Sequence, residues 1–178
     1  IDNMRRIFSS FFAWLEDEDF IVKSPVRRIH RVRTESLVKE VLTDENMEVL
    51  RDSCQEIRDI AMIDLLASTG MRVGELVNLN REDIDFHERQ CVVFGKGNKE
   101  REVYFNARTK IHLQNYLSSR TDDNPALFVS LSNPHSRLSI SGVEVRLRTL
   151  GRKVNIAKVH PHKFRRTLAT MAIDKGMP

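Results

Sequence analysis

Three short stretches of this chain combine residue types that could handle a phosphate group. The first is His162-x-x-Arg165. At about 100° per residue, His162, Arg165 and Arg166 share one sector of a helix roughly 100° wide, while Phe164, Leu168 and Met171 lie opposite. An arginine offers a planar fork to two oxygens, and a histidine offers a donor that can also exchange a proton. The second stretch is Gly70-Met71-Arg72-Val73-Gly74-Glu75-Leu76, an arginine directly after a helix-ending glycine with a carboxylate one turn on. It reads either as a surface i, i+3 pair or as an arginine presented at a helix start, where backbone N–H groups also favour an anion. The third is Gly95-Lys96-Gly97-Asn98-Lys99-Glu100-Arg101. It is a charged hairpin turn, or a tip from which Lys96 could reach a nucleic-acid backbone. Each stretch, taken singly, has a plain surface alternative.

The elements that must hold these residues follow from periodicity. Met4, Ile7, Phe8, Phe11, Phe12 and Leu15 recur at three- and four-residue spacing, which predicts an amphipathic helix over residues 2–18. Ser24-Pro25 breaks that pattern, and the basic stretch to about Leu42 reads as an exposed linker. Thr43 is a suitable N-cap, followed by Asp44 and Glu45 in the first turn. Further helices are expected over Ile57 to Ser68, ending at Gly70, and from Arg72 to Leu79. Cys91 to Phe94 and Glu102 to Phe105 are β-like runs joined by the turn-rich hairpin loop. A helix from Asn106 to about Ser118 comes next, then a short strand at Leu127 to Val129. Ser141-Gly142-Val143-Glu144 reads as a capping box opening another helix. The last helix opens at Pro161 and closes at Gly176. The fold class is therefore mainly α with a small antiparallel β-sheet.

Composition narrows the function classes. The chain has 178 residues, a formal net charge of +4 and 40% hydrophobic residues, enough for a real core and against disorder. No apolar run is long enough to span a bilayer. Two cysteines without a CxxC pair argue against a disulfide scaffold or a zinc ribbon, and make a reducing cytosol the default. The charge is segregated. Lys23, Arg27, Arg28, Arg31 and Arg33 form one basic run, and nine basic side chains between Arg146 and Lys175 face one acid, Asp174. Segregated positive charge suits a polyanion, because each neutralised phosphate releases condensed counterions, although a solvated basic face would look the same.

Taken in order, the three stretches resemble the tyrosine recombinase (phage-type integrase) family, with its "TGxRxxEL" box, "GKGxKxR" hairpin and "HxxR" helix. Here these read Thr69-Gly70-Met71-Arg72-Val73-Gly74-Glu75-Leu76, Gly95-Lys96-Gly97-Asn98-Lys99-Glu100-Arg101 and Pro161-His162-Lys163-Phe164-Arg165. The resemblance covers about Leu42 to Gly176 and implies the family's DNA breaking-rejoining catalytic domain fold. It implies strand cleavage through a 3′-phosphotyrosyl intermediate with no metal and no cofactor. Protein groups alone would then stabilise charge on the non-bridging oxygens. Arg72 and Arg165 would be the clamp, Lys96 the acid for the leaving 5′-oxygen, and His162 an aid to proton transfer. Glu75 would fix Arg72. Lys99, Arg101, Lys163, Arg166, Arg27 and Arg28 are the candidate duplex contacts.

The same resemblance sets the domain expectation: 1–24 as the last helix of a core-binding domain, 25–42 as a basic linker and 43–178 as the catalytic domain. Both ends read as cut, from Ile1 inside an apolar pattern to Gly176-Met177-Pro178. The family's nucleophilic tyrosine lies about thirty residues beyond the HxxR arginine, so it is expected outside this chain, and the fragment alone is expected to be inactive. Tyr104 and Tyr116 do not fill the role. Double-stranded DNA is the expected partner, with a tetramer on DNA in the full-length protein and no membrane. The expected setting is the bacterial cytoplasm, on the nucleoid when bound. Integration or excision of a phage or conjugative transposon is favoured over chromosome-dimer resolution. The competing reading is a non-catalytic DNA-binding relative that keeps the clamp and lacks the nucleophile.

Overall fold

The computed structural model describes residues 2–30, 40–95 and 99–176. It divides into two compact units, Ile1–Lys39 and Glu40–Pro178.

In the first unit, helix α1 spans Asp2–Asp17. Its apolar stripe is largely uncovered: Met4, Ile7, Phe8, Phe11 and Trp14 are all about half exposed or more. The aromatic rings contact one another, Phe11 with Phe12 at 5.4 Å and Trp14 with Phe20 at 5.9 Å between centroids. The chain then folds back on the helix end, where Phe20 N donates to the Leu15 carbonyl at 2.9 Å. Ser24 N donates to Glu16 at 3.1 Å. Arg27 reaches Glu16 at 3.5 Å, and Arg28 is exposed. Arg31 and Arg33, the other arginines of the basic run, lie outside the described residues.

The second unit is built around helix α3, Ile57–Thr69, whose Ala61, Met62, Ile63, Leu65 and Leu66 are fully buried. Before it comes α2, Asp44–Asp52, where Thr43 accepts from Asn46 N at 3.1 Å, as an N-cap should. After it come α4, Val73–Asn78, and a 3-10 turn, Arg81–Asp83. Three antiparallel strands follow, β1 Ile84–Asp85, β2 Gln90–Phe94 and β3 Glu100–Tyr104, in the order β1-β2-β3. Cys91 pairs with Val103 and Val93 with Arg101. Alternation then turns Cys91, Val93 and Val103 inward and leaves Val92, Phe94 and Tyr104 outward. Helices α5, Ala107–Ser119, α6, Ile140–Lys153, and α7, Pro161–Asp174, complete the unit. α5 and α7 both pack on α3. Thr167 on α7 joins the unit's two ends: its hydroxyl accepts from Leu42 N at 2.8 Å and donates to the Lys163 carbonyl at 2.9 Å.

Two expectations change. Leu127 to Val129 is not a strand but a buried connector with isolated bridges, Asn80 to Ala126 and Val129 to Arg137. Its apolar side chains are buried, which is the signal the sequence carried. Its carbonyls, however, find three separate donors: Leu127 accepts from the Arg120 guanidinium at 3.0 Å, Phe128 from Leu138 N at 2.9 Å and Val129 from Arg58 Nη1 at 3.0 Å. The second change is the start of α6. Ser139, not Ser141, is the N-cap, with its hydroxyl accepting from Gly142 N at 3.1 Å. Leu138 is held by its N–H on the Phe128 carbonyl, so the chain turns into the helix two residues earlier than the capping-box pattern suggested.

Candidate functional site

The site grows from the end of α3. Gly70 is the C-cap, with φ of 58°, the left-handed region that glycine occupies at least cost. α7 also passes close by: a Cβ there would lie 2.9 Å from Leu168 Cδ2, so the leucine would have to shift. The close approach brings Arg165 against the turn, where its Nη1 donates to the Gly70 carbonyl at 2.8 Å. Two residues on, past buried Met71, Arg72 is the N-cap of α4. One sharp turn thus presents Arg72 and anchors Arg165.

Glu75 organises this cluster. Its Oε2 accepts from Arg72 N at 2.8 Å, and its Oε1 accepts from Arg72 Nη1 at 3.0 Å. Arg101, from β3, adds a two-pronged pair: Nη1 to Oε1 at 2.8 Å and Nη2 to Oε2 at 2.7 Å. Burial pushes the Glu75 carboxyl up, but the Arg101 guanidinium, then the Arg72 backbone and side chain, outweigh it and hold it at about 2. The carboxylate is 4% exposed, while the Arg72 side chain is 50% exposed.

α7 carries the other residues. Its start is set by the connector from α6, which passes so close over Gly151 that a Cβ there would be 2.5 Å from Val159 Cγ2. Pro161 occupies the first turn, as its missing N–H allows. His162 and Arg165 are exposed, one turn apart. Arg166 Nη2 donates to His160 Nε2 at 3.4 Å. Burial, then the charge of Arg166, pushes the His160 imidazole down.

The other sequence-derived residues fall in different places. Lys163 is buried, and its ammonium donates to the Ala157 carbonyl at 3.0 Å. An exposed duplex contact is thus not its structural role; it ties α7 to the preceding connector. Arg101 is likewise committed to Glu75. Lys99 is exposed, with its carbonyl accepting from Gly95 N at 2.8 Å to close the base of the hairpin loop. Lys96 lies outside the described residues. Tyr104 is exposed, and its hydroxyl donates to Glu102 at 2.8 Å, which pushes its pKa up. Tyr116 is buried and stacked on Phe128, with ring centroids 5.5 Å apart. Among the described residues, no group of three or more His, Cys, Asp or Glu could hold a metal.

Sequence reasoning missed three ionic clusters. Arg101 was legible: it alternates with buried Val103 and Phe105, which places it on the inner face of β3. Asp59 is fully buried between Arg58, at 2.8 Å, and Arg146 of α6, at 2.5 Å. Asp64 receives Arg51 Nε at 2.5 Å and also pairs with His112. Both aspartates join residues far apart in the chain, and no local pattern announces them.

The comparisons with known proteins bear on the family and the fold. The model of the "Phage integrase family" matches residues 39–178. The chain is 32% identical over 173 residues to the tyrosine recombinase XerC of Staphylococcus aureus (strain bovine RF122 / ET3-1), covering 92% of this chain and 57% of that protein. The crystal structure of XerA recombinase aligns with a TM-score of 0.72 at 32% identity, over 95% of this chain and 61% of that one. The Tn1549 transposon integrase, solved with transposon right end DNA, has the same fold, with a TM-score of 0.81 at 21% identity over 100% of this chain and 67% of that one. The chain thus spans a little over half the length of the curated relative.

Proposed function

The chain belongs to the phage integrase family of tyrosine recombinases, and from that membership we propose that it supplies the phosphate-handling part of a DNA strand transferase. The observation that carries the reading is the turn at Gly70, which holds Arg165 by its carbonyl and presents Arg72 two residues later. Two exposed guanidinium groups so fixed suit the non-bridging oxygens of a scissile phosphodiester. They stabilise the charge that develops there without reorganising at the moment of reaction.

In this reading a tyrosine attacks the phosphorus, the bond to the 5′-oxygen breaks, and a 3′-phosphotyrosyl link stores the bond energy. Lys96 gives its proton to the departing 5′-oxygen, and His162 assists proton transfer or holds a phosphate oxygen. Neither tyrosine of this chain suits the attack: Tyr116 is buried, and the Tyr104 hydroxyl is held by Glu102. In this reading neither of them is the nucleophile, and residues 1–178 alone form no covalent adduct. Lys99, Arg166, Arg27 and Arg28 remain the proposed backbone contacts to duplex DNA. The domain reading is a core-binding helix in 1–24, a linker in 25–42 and the catalytic domain in 43–178. It is supported by the compact unit that begins at Glu40. The working assembly is a tetramer on two duplexes in a bacterial cytoplasm; no described helix is long and apolar enough to cross a membrane.

Integration or excision of a phage or conjugative transposon is the role we attach to it, from the variant His160-Pro161-His162-Lys163-Phe164-Arg165-Arg166-Thr167 box. The identity to XerC favours a second reading, a housekeeping recombinase. The experiment is covalent trapping. The complete polypeptide that carries this sequence is mixed with a nicked duplex in chelator, and a denaturing gel is read for a protein–DNA adduct. An adduct lost on Arg72→Ala and on Arg165→Ala is the expected result. Tight, salt-dependent duplex binding with no adduct would instead establish the non-catalytic relative.

A further inference from the structure

Arg101 carries an inference that its place in the hairpin motif hides. Each oxygen of the Glu75 carboxylate takes one bond from Arg101 and one from Arg72: Oε1 from the two Nη1 atoms, Oε2 from Arg101 Nη2 and from the Arg72 backbone N–H. Arg101 therefore occupies the two-pronged geometry that a free guanidinium would otherwise adopt on this carboxylate. Arg72 is left holding Glu75 by a single side-chain nitrogen, and half of its side chain stays exposed. Without Arg101, Arg72 could swing in and take both oxygens, withdrawing its fork from solvent.

We propose that Arg101 is a positioning residue that keeps the Arg72 guanidinium turned outward, and that it is not a DNA contact. Its backbone fixes it for this purpose. Arg101 pairs with buried Val93, so its side chain starts from the inner face of the sheet. Its Nη1 also lies against Gly95, 3.4 Å from where a Cβ would be. The base of the β2–β3 hairpin, the Glu75 carboxylate and Arg72 thus form one connected set. A lysine at 101 keeps the charge but has no fork, so it can satisfy only one oxygen at a time.

The consequence for rate rests on the strand-transfer reading; the geometry does not, and the test separates the two. In the complete polypeptide, Arg101→Ala and Arg101→Lys are compared with wild type for duplex affinity and for the single-turnover rate of adduct formation at saturating nicked DNA. The expected result for Arg101→Ala is a rate at least tenfold lower with a Kd within threefold of wild type, and for Arg101→Lys an intermediate rate. A Kd at least tenfold weaker with an unchanged saturating rate would make Arg101 a DNA contact and overturn the proposal, as would no change in either. The second readout needs no cleavage: the Nε–H resonance of Arg72 in 15N-labelled protein without DNA, assigned by its loss in Arg72→Lys. It should shift and broaden in Arg101→Ala. If it stays in place, the proposal fails even if the protein cuts DNA. If wild type forms no adduct, the strand-transfer reading fails and this resonance alone decides the role of Arg101. Should Arg101→Ala not fold, Arg101→Lys carries both measurements.

Discussion

Arg165 donates through Nη1 to the backbone carbonyl of Gly70, 2.8 Å away and 95 residues earlier in the chain. That carbonyl sits at the C-terminal end of α3, where a helix leaves its last acceptors unpaired and favours a cation. The bond satisfies the helix end and aims the arginine in one step. It also makes Gly70 a residue of the site, although it has no side chain to contribute.

Gly70→Ala should therefore cost about 2–4 kcal/mol, from left-handed backbone strain and the contact with Leu168. Gly74→Ala is the matched control. It sits in the first turn of α4 with nothing within 4 Å of its Cβ, and should be neutral or stabilising by about 0.5–1 kcal/mol. Urea unfolding midpoints of the two variants are the check. Equal midpoints would remove Gly70 from the design of the turn.

Glu75 sets part of the acid limit. Its carboxyl is depressed from 4.5 to about 2 in the folded state. A depressed carboxyl contributes stability that is complete above its unfolded pKa and fades as the pH falls through the folded one. That contribution, on the order of 2–3 kcal/mol, should be present at pH 6 and drop away between about pH 4.5 and 2. Glu75→Gln should be less stable than wild type at pH 6, and the gap should narrow on acidification. A gap that is constant from pH 6 to 2.5 in urea unfolding would contradict the assigned pKa.

Lys163 and Arg166, three positions apart on α7, should respond in opposite ways. Lys163→Met removes a buried ammonium from the Ala157 carbonyl and should change stability while leaving the salt dependence of duplex binding alone. Arg166→Ala should leave stability within about 0.5 kcal/mol and reduce the slope of log K against log salt by about 1. A slope change in Lys163→Met of the same size would restore it as a phosphate contact.

Asp59→Ala should be the most damaging of these changes, at about 3–5 kcal/mol, because it leaves buried Arg58 and half-buried Arg146 without their counter-charge. Calorimetry gives the number. A loss below about 1 kcal/mol, the range of an exposed pair, would show that water replaces the carboxylate there.

How much of this was legible differed by element. The helices around Arg72 and Arg165 were readable because caps and apolar spacing are local: Thr43, Asn106 and the Gly70 stop all act within a few residues. Leu127 to Val129 misled because burial resembles a strand in sequence, whereas its carbonyls pair with the side chains of Arg120 and Arg58 and with the N–H of Leu138 rather than with a neighbouring strand. The Arg72–Glu75 pair was visible at i, i+3. The third member, Arg101, was visible only as an alternation on β3, and the functional motif drew attention away from it. Lys163 was misjudged for a related reason, since a charged residue beside the site reads as exposed until its partner carbonyl is seen.

The Thr167 clasp has a consequence for the order of events during synthesis. Leu42 N leaves the ribosome 125 residues before the hydroxyl it binds. At about 5–20 residues per second, that is a wait on the order of ten seconds. Arg72 and Glu75 emerge early in that interval, Arg101 in its middle and Arg165 within two residues of Thr167. The nascent unit thus lacks both its end-to-end clasp and the second guanidinium until α7 is made. A half-built chain presents Arg72 without Arg165.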